Sequence, residues 1–157
     1  MRALGAREEV RYLDSRRGMV SHADLVIGDA VFSVTEEARA WSSDAPPSLG
    51  GSPVVLQLNV ESVGAAFETM CAAGATVVFP VVEFCGERMA RLRDPYGHLW
   101  LLIQRIEELS PDEIQRRRDA WTPPQAAPED LTRLCGGHPA MQAEEPRGVN
   151  SATRRAA

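Results

Sequence analysis

Two polar side chains interrupt apolar β-strand patterns and are the first candidates for ligand contacts. Gln57 lies between Leu56 and Leu58 in an apolar run. A polar residue in such a strand either faces water or hydrogen-bonds to a partner. Gln57 is therefore interpreted either as a solvent-facing residue or as a contact of a bound ligand. Arg91 lies in an alternating strand pattern, where it could bind an anionic group through two hydrogen bonds, but alternation alone leaves its face of the sheet open.

Two aromatic residues and one cysteine complete the candidate ligand-binding set. Phe32 and Trp100 either form an aromatic wall for a planar ligand or belong to the core. Cys85, in the segment FCGE, is either a reactive thiol or an ordinary loop residue. His22 and His98 fall at predicted strand ends and are either general bases or structural residues. No residue is assigned a catalytic role.

The composition excludes several classes of protein. A chain of 157 residues with 44% hydrophobic and 25% charged residues is typical of one globular domain. The net charge of −5 argues against nucleic-acid binding. No apolar run reaches the roughly 20 residues of a membrane helix, and the first residues lack the apolar core of a secretory signal. Three widely spaced cysteines predict reduced thiols, so we expect a cytoplasmic protein without membrane partners.

The second half of the chain, residues 54–106, predicts the order β-α-β-β-β. Ser62 is the expected N-cap of the helix, and Gly74 stands where a C-terminal cap belongs. Pro80 is expected to stop the strand that follows. The predicted elements are a strand at 54–60, a helix at 62–73 and strands at 76–79, 88–93 and 98–104.

The first half, residues 1–37, predicts only strands, at 10–13, 20–27 and 30–35. A linker rich in Ser, Pro and Gly follows at 38–53. Downstream, Ser110, Pro111 and Glu113 form a helix-start signature with a capping box, which predicts a trailing helix at 110–121. Residues 122–157 are rich in Pro, Gly, Glu and Arg and are expected to form a disordered tail.

The two halves look like copies of one unit. MRALGA at 1–6 aligns with MCAAGA at 70–75, and HADL at 22–25 aligns with MARL at 89–92. In this alignment the first half begins at the last turn of the helix, so the counterparts of the strand and most of the helix at 54–73 are missing. Either the chain starts at an internal Met, through a misassigned start or a truncated gene, or another chain supplies the missing edge.

Five segments carry a resemblance to a known family: HADLVIGDAVFSV, LGGSPVVLQLNVESV, AAGATVVFPV, FCGERMARLRDPYGHLW and LSPDEIQRRRDAW. Together they resemble the vicinal oxygen chelate superfamily, which includes glyoxalases, bleomycin-resistance proteins and extradiol dioxygenases, and in particular its PhnB-like branch. The resemblance covers about residues 4–121. It implies an α+β fold in which paired βαβββ modules form a curved mixed sheet around a cavity, with the first module here lacking its first strand and most of its helix.

The resemblance also indicates where a metal site would lie. Metal-binding members place His, Gln or Glu on the first and last strands of each module. At these positions the present chain offers Phe32, Gln57 and Leu101, and its first module has no first strand. A divalent transition metal needs three or four donors, so we expect no metal site and no cofactor.

The resulting hypothesis is a metal-independent small-molecule-binding protein, acting in sequestration, resistance or an unassigned metabolic role. The alternatives are a glyoxalase-like lyase or isomerase of the same fold, and an inactive truncated remnant. The resemblance further implies a homodimer, and two-fold symmetry is the commonest closed arrangement. We expect a small-molecule ligand as partner and no nucleic acid.

Overall fold

The computed structural model describes residues 2–122, which form one antiparallel sheet, one mixed sheet and two α-helices. The first sheet has the order β1-β2-β3 and is antiparallel throughout. The second has the order β4-β7-β6-β5, with β4 parallel to β7 and the other pairs antiparallel. These open, curved sheets with few helices confirm the predicted α+β class. The elements are β1 (Arg7–Leu13), β2 (Val20–Ile27), β3 (Ala30–Val34), β4 (Val55–Asn59), α1 (Val63–Ala72), β5 (Thr76–Phe84), β6 (Glu87–Arg93), β7 (Leu99–Arg105) and α2 (Pro111–Ala120).

The predicted end of β5 at Pro80 is wrong. The strand continues to Phe84, and its pairing with β6 shifts register between Val77 and Phe79 and again between Phe79 and Val82. Proline has no N–H to donate, and it is accepted in a strand at a sheet edge or at a bulge. Both conditions hold here, because β5 is the edge strand of its sheet.

Helix α1 has the caps that the sequence predicts. The Ser62 hydroxyl accepts a hydrogen bond from the backbone N–H three residues further on. At the other end Gly74 has a φ of 91°, which suits glycine. Its N–H donates to the carbonyl of Cys71 at 2.9 Å, and the N–H of Ala75 donates to that of Met70 at 3.0 Å. This pair of bonds is a Schellman motif, so the chain turns sharply from α1 into β5.

The main core lies between α1 and one face of the second sheet. On the sheet side, Ala90, Leu92 and Leu102 are fully buried, and on the helix side Val63 and Phe67 pack into the same cluster. Burying a leucine side chain contributes about 2 kcal/mol. This cluster therefore fixes which face of β6 and β7 is turned toward the helix.

The first sheet has no helix packed on it among residues 2–122. Ala23 and Leu25 of β2 are its buried residues, whereas β1 is exposed apart from Val10, which is half-buried. The outer edge of β3 carries no paired strand in the described part of the chain. By contrast, β7 of the second sheet has β4 beside it.

The trailing helix begins as predicted, with Ser110 as N-cap accepting a bond from the Glu113 N–H. The Glu113 carboxylate pairs with Arg116 and Arg117. The predicted tail falls almost wholly at 123–157, outside the described residues. Across 2–122, no helix has the length and apolar character needed to cross a membrane.

The prediction of reduced thiols is wrong at one cysteine. Cys71, buried at the end of α1, is disulfide-bonded, whereas Cys85 is a free thiol. The odd number of cysteines and their wide spacing in the sequence do not predict this bond. Disulfide formation depends on the distance between cysteines in space and not on their separation along the chain.

Candidate functional site

Two of the predicted site residues lie in one row across the second sheet. Gln57 of β4 pairs with Leu101 of β7, Leu101 pairs with Arg91 of β6, and Arg91 pairs with Phe79 of β5. Directly paired residues point to the same side of a sheet. The four side chains therefore share one face, in the order Gln57, Leu101, Arg91, Phe79.

That face is the one turned away from α1. Ala90 and Leu92, which flank Arg91 in β6, are both 0% exposed and belong to the core under α1. Successive strand residues point to opposite sides, so Arg91 projects from the other side. We call this side of the second sheet the Arg91 face. Its members are Val55, Gln57, Asn59, Thr76, Phe79, Val82, Phe84, Glu87, Met89, Arg91, Arg93, Leu99, Leu101, Ile103 and Arg105.

The Arg91 guanidinium has an unsatisfied donor. Its Nε is buried and has no hydrogen-bond partner, and Arg91 forms no ion pair with any residue of the described chain. A buried donor without a partner typically costs about 1–3 kcal/mol. Native proteins rarely leave such a group unless something else satisfies it. Arg91 is therefore the residue of this face whose side chain keeps a free hydrogen-bond donor.

Around Arg91 this face is mainly apolar, and Glu87 and Arg105 at its far end are paired with each other. Met89, Leu99 and Leu101 are half-buried, and Ile103 is buried. Amide side chains, Gln57 and Asn59, stand on the edge strand β4 and are exposed. An apolar surface with a few convergent polar groups is typical of small-molecule sites.

Trp100 belongs to the core and not to the Arg91 face. It is 5% exposed and packs in the cluster under α1. Its indole N–H donates to Asp94 Oδ2 at 3.0 Å, while the backbone N–H groups of Tyr96 and His98 donate to Asp94 Oδ1. Of the two interpretations of Trp100, the structure supports the core position, and His98 takes part in the β6–β7 turn.

Phe32 lies on the other sheet. It is half-buried in β3 and pairs with Leu25 of β2, whose side chain is buried. The Arg91 face belongs to the second sheet, so strand pairing does not align Phe32 with it. The structure therefore does not bring Phe32 together with Gln57, Arg91 or Trp100.

Cys85 lies at the tight turn between β5 and β6. Cys85 and Gly86 have φ values of 50° and 80°, as in a type I′ hairpin turn. The Cys85 thiol donates to the carbonyl of Ile114 in α2 at 3.6 Å. Cys85 also lines a cleft of about 270 Å³ between this turn and α2.

The polar groups of this cleft are mutually paired. Arg117 donates to Glu107 at 2.7 Å and 3.1 Å, and these bonds lower the pKa of Glu107 and raise that of Arg117. Glu83, which also lines the cleft, pairs with Arg88. The cleft therefore offers a ligand few free charged groups.

A polar cluster on the first sheet escaped sequence reasoning. Asp24 Oδ1 accepts a hydrogen bond from Ser33 at 2.5 Å and lies 2.9 Å from His22 Nε2. The Ser33 bond, opposed by desolvation and aided by His22, lowers the pKa of Asp24. Both partners meet the same oxygen and Ser33 does not bond to His22, so this is not a nucleophile-activating triad. Alternation along β2 is enough to predict that His22 and Asp24 point to the same side. The position of Ser33 beside Asp24 follows only from the pairing register of β2 and β3.

The residues at the metal-ligand positions implied by the resemblance do not fit a metal. Gln57 is one weak amide donor, and its neighbour Leu101 and the distant Phe32 have none. Within residues 2–122, His, Cys, Asp and Glu side chains form no group of three or more that could hold an ion. We therefore derive no chemistry through a metal here.

Comparison with known proteins identifies the family to which this fold belongs. Residues 1–102 match the model of the Glyoxalase/Bleomycin resistance protein/Dioxygenase superfamily, which is more than half of the 157 residues. The chain belongs to this superfamily.

Its curated relatives are uncharacterized. Mb0911c of Mycobacterium bovis and Rv0887c of Mycobacterium tuberculosis are each 37% identical over 102 residues, which is 62% of this chain and 67% and 60% of those proteins. Among solved structures, protein PA1353 from Pseudomonas aeruginosa is similar with a TM-score of 0.53 and 18% identity, covering 66% of this chain and 82% of that one. At this identity the likeness shows the fold alone.

Proposed function

We propose that the protein binds a small organic molecule on the Arg91 face without using a metal. The observation that carries this proposal is the buried, unpartnered Nε of Arg91 in the row with Gln57, Leu101 and Phe79. The apolar neighbours would remove a ligand from water, and Gln57 would add directional hydrogen bonds. Sequestration, resistance or a metabolic role are all compatible with such binding.

The same proposal assigns the chain to the PhnB-like branch. In it, residues 54–106 form a complete βαβββ module, and residues 1–37 form an incomplete one in which β1, β2 and β3 correspond to β5, β6 and β7. The matching antiparallel order of the two sets of strands supports this assignment. Residues 38–53 then connect the modules, and 110–121 form the trailing helix.

A homodimer is part of this proposal. The outer edges of β3 and β4 carry no paired strand among the described residues, and Val31 of β3 is 67% exposed. Unpaired edges favour association with another strand. Light scattering during gel filtration should give twice the chain mass. Val31→Lys should shift the protein toward monomer, whereas Tyr12→Lys, on the other edge of that sheet, should not; a wild-type monomer would contradict the dimer.

The binding proposal is tested with a neutral fluorescent probe, phenylnaphthylamine. Leu101→Gln should weaken its binding about tenfold, since roughly 1.4 kcal/mol of apolar contact is lost. The matched control is Leu49→Gln, at a position that is 59% exposed and outside the face. Thermal melting of both variants establishes that they fold.

Three results would reject the proposal. These are probe binding that is unchanged in Leu101→Gln, binding that disappears with a chelator, and stoichiometric zinc, nickel or iron in the purified protein. Turnover of methylglyoxal with glutathione would favour the lyase alternative instead.

A further inference from the structure

Arg91 and Arg93 place two cationic side chains on the same face of β6. They are two residues apart in a strand, about 6.7 Å along its axis, and both point away from α1. Neither side chain has a hydrogen bond or ion pair with any residue in the described part of the chain. Each could therefore interact with a bound anion without first breaking a contact.

Within residues 2–122, Arg16, Arg17 and Arg118 also lack an ion pair, but they are exposed, whereas the Nε of Arg91 is buried. The chain has 22 acidic and 17 basic residues, so carboxylates are in excess. Seven arginines of the described chain have acidic partners: Arg7, Arg11, Arg39, Arg88, Arg105, Arg116 and Arg117. Arg88 and Arg105 lie in the same sheet as Arg91 and are paired with Glu83 and Glu87.

The position of the unpartnered atom within the guanidinium group indicates which donors of Arg91 a bound anion would meet. It is Nε of Arg91, the donor at the side of the guanidinium fork. Nε and one terminal nitrogen present parallel N–H groups that match two oxygens of a carboxylate or phosphoryl group. A carboxylate or phosphoryl group would thus accept hydrogen bonds from Nε and the terminal nitrogen together. A neutral ligand with a single oxygen acceptor would satisfy only one of these two donors.

The surroundings of Arg91 determine the rest of the ligand. Leu101 and Phe79 flank Arg91 in its row, and Met89 lies on the same strand and face. An apolar environment strengthens the attraction between unlike charges. It also disfavours a fully hydrated inorganic ion, because such an ion would leave the apolar side chains without a partner.

We infer that the ligand of the Arg91 face is an amphipathic organic anion, with a carboxylate or phosphoryl group held by Arg91, supported by the charge of Arg93, and an apolar body on Leu101 and Phe79. The inference rests on the proposed function and specifies the chemical class that the site would take.

Two probes with the same aromatic body test the inference. Phenylnaphthylamine is neutral, and anilinonaphthalene sulfonate carries an anionic group. The wild-type protein should bind the anionic probe at least about tenfold more tightly than the neutral probe, because the anionic group adds a pair of charge-assisted hydrogen bonds. Arg91→Met should abolish this difference, because it should weaken binding of the anionic probe at least about tenfold more than binding of the neutral probe. Arg88→Met is the matched control, because Arg88 lies on the same strand but on the opposite face.

Competition experiments identify the anionic group. Hexanoate and hexyl phosphate should displace the anionic probe, with the stronger competitor indicating carboxylate or phosphoryl recognition, whereas hexanol should not. Equal affinity for the two probes, an equal loss of both in Arg91→Met, or displacement by hexanol as effective as by the anions would overturn the inference. Binding of the neutral probe that responds to Leu101→Gln would still support the proposed function, so the two can fail separately.

Discussion

Trp100 and Asp94 are joined by a hydrogen bond of 3.0 Å from the indole Nε1 to the carboxylate Oδ2. This bond connects the core under α1 to the turn between β6 and β7. The other oxygen of Asp94 accepts two backbone N–H groups of that turn. One carboxylate therefore fixes both the turn and the orientation of a core aromatic residue.

Replacing Asp94 should destabilise the protein strongly. Asp94→Ala removes three acceptor contacts, so the free energy of unfolding in urea should fall by about 3 kcal/mol. Asp14→Ala, in a turn where the carboxylate accepts one N–H from Arg16, should cost about 1 kcal/mol. Asp94→Asn should lie between wild type and Asp94→Ala, because it retains the backbone contacts but offers Trp100 an N–H in place of an acceptor. Equal losses in the two alanine variants would contradict this role of Asp94.

The Asp24 cluster predicts a pH-dependent contribution to stability. The pKa of Asp24 is lowered, chiefly by the Ser33 hydroxyl. A carboxyl whose folded pKa lies below its unfolded pKa stabilises the fold above the unfolded value, and this contribution is lost as the pH falls through the folded pKa. Ser33→Ala should raise the pKa of Asp24 in a carbon-detected NMR titration. The variant should also have a lower free energy of unfolding than wild type at neutral pH, and this difference should become smaller in acid. Ser21→Ala, whose hydroxyl bonds to the Tyr12 carbonyl, should show no such narrowing.

Gly86 is predicted to tolerate no side chain. A Cβ there would lie 2.8 Å from the carbonyl oxygen of Glu107 and 3.0 Å from a methyl carbon of Leu109, at a φ of +80°. Gly28, in the β2–β3 turn, has a φ of +60° with nothing within 4 Å of such a Cβ. Gly28→Ala should therefore cost about 1 kcal/mol from backbone strain alone, and Gly86→Ala clearly more. Similar melting temperatures for the two variants would refute the steric argument.

Helix α2 should control access to the Cys85 thiol. Arg117 ties α2 to Glu107, and the thiol bonds to the Ile114 carbonyl in the same helix. Arg117→Met should thus accelerate labelling of Cys85 by a disulfide reagent. Arg116→Met, which removes a contact within α2 only, should not. Identical labelling rates in both variants would show that the ion pair does not hold the helix in place.

The fold was largely predictable from local patterns, and its exceptions have physical causes. Residues 20–27 were predicted as a strand and form β2, because one face is buried and the alternation is regular. The prediction that β5 ends at Pro80 is wrong because β5 is an edge strand with register shifts, where a residue without an N–H is tolerated. The helix caps at Ser62 and Gly74 were predictable since each depends on bonds within a few residues.

The candidate site was less predictable, because it depends on which face the helix covers. Alternation showed that Arg91 and Leu92 point to opposite sides, but only the packing of α1 on Leu92 decides which side is core. The same packing places Trp100 in the interior. The row from Gln57 to Phe79 depends on strand register, which no local pattern contains.

The irregular β5 strand has a consequence for the protein in crowded solution. A fifth strand adding to the free side of β5 would meet Pro80, which has no N–H, and backbone with two register shifts. Edges interrupted in this way are poor templates for intermolecular β-pairing and so resist fibril growth. Of the two margins of the second sheet, β4 is therefore the one that remains open to pairing with a further strand.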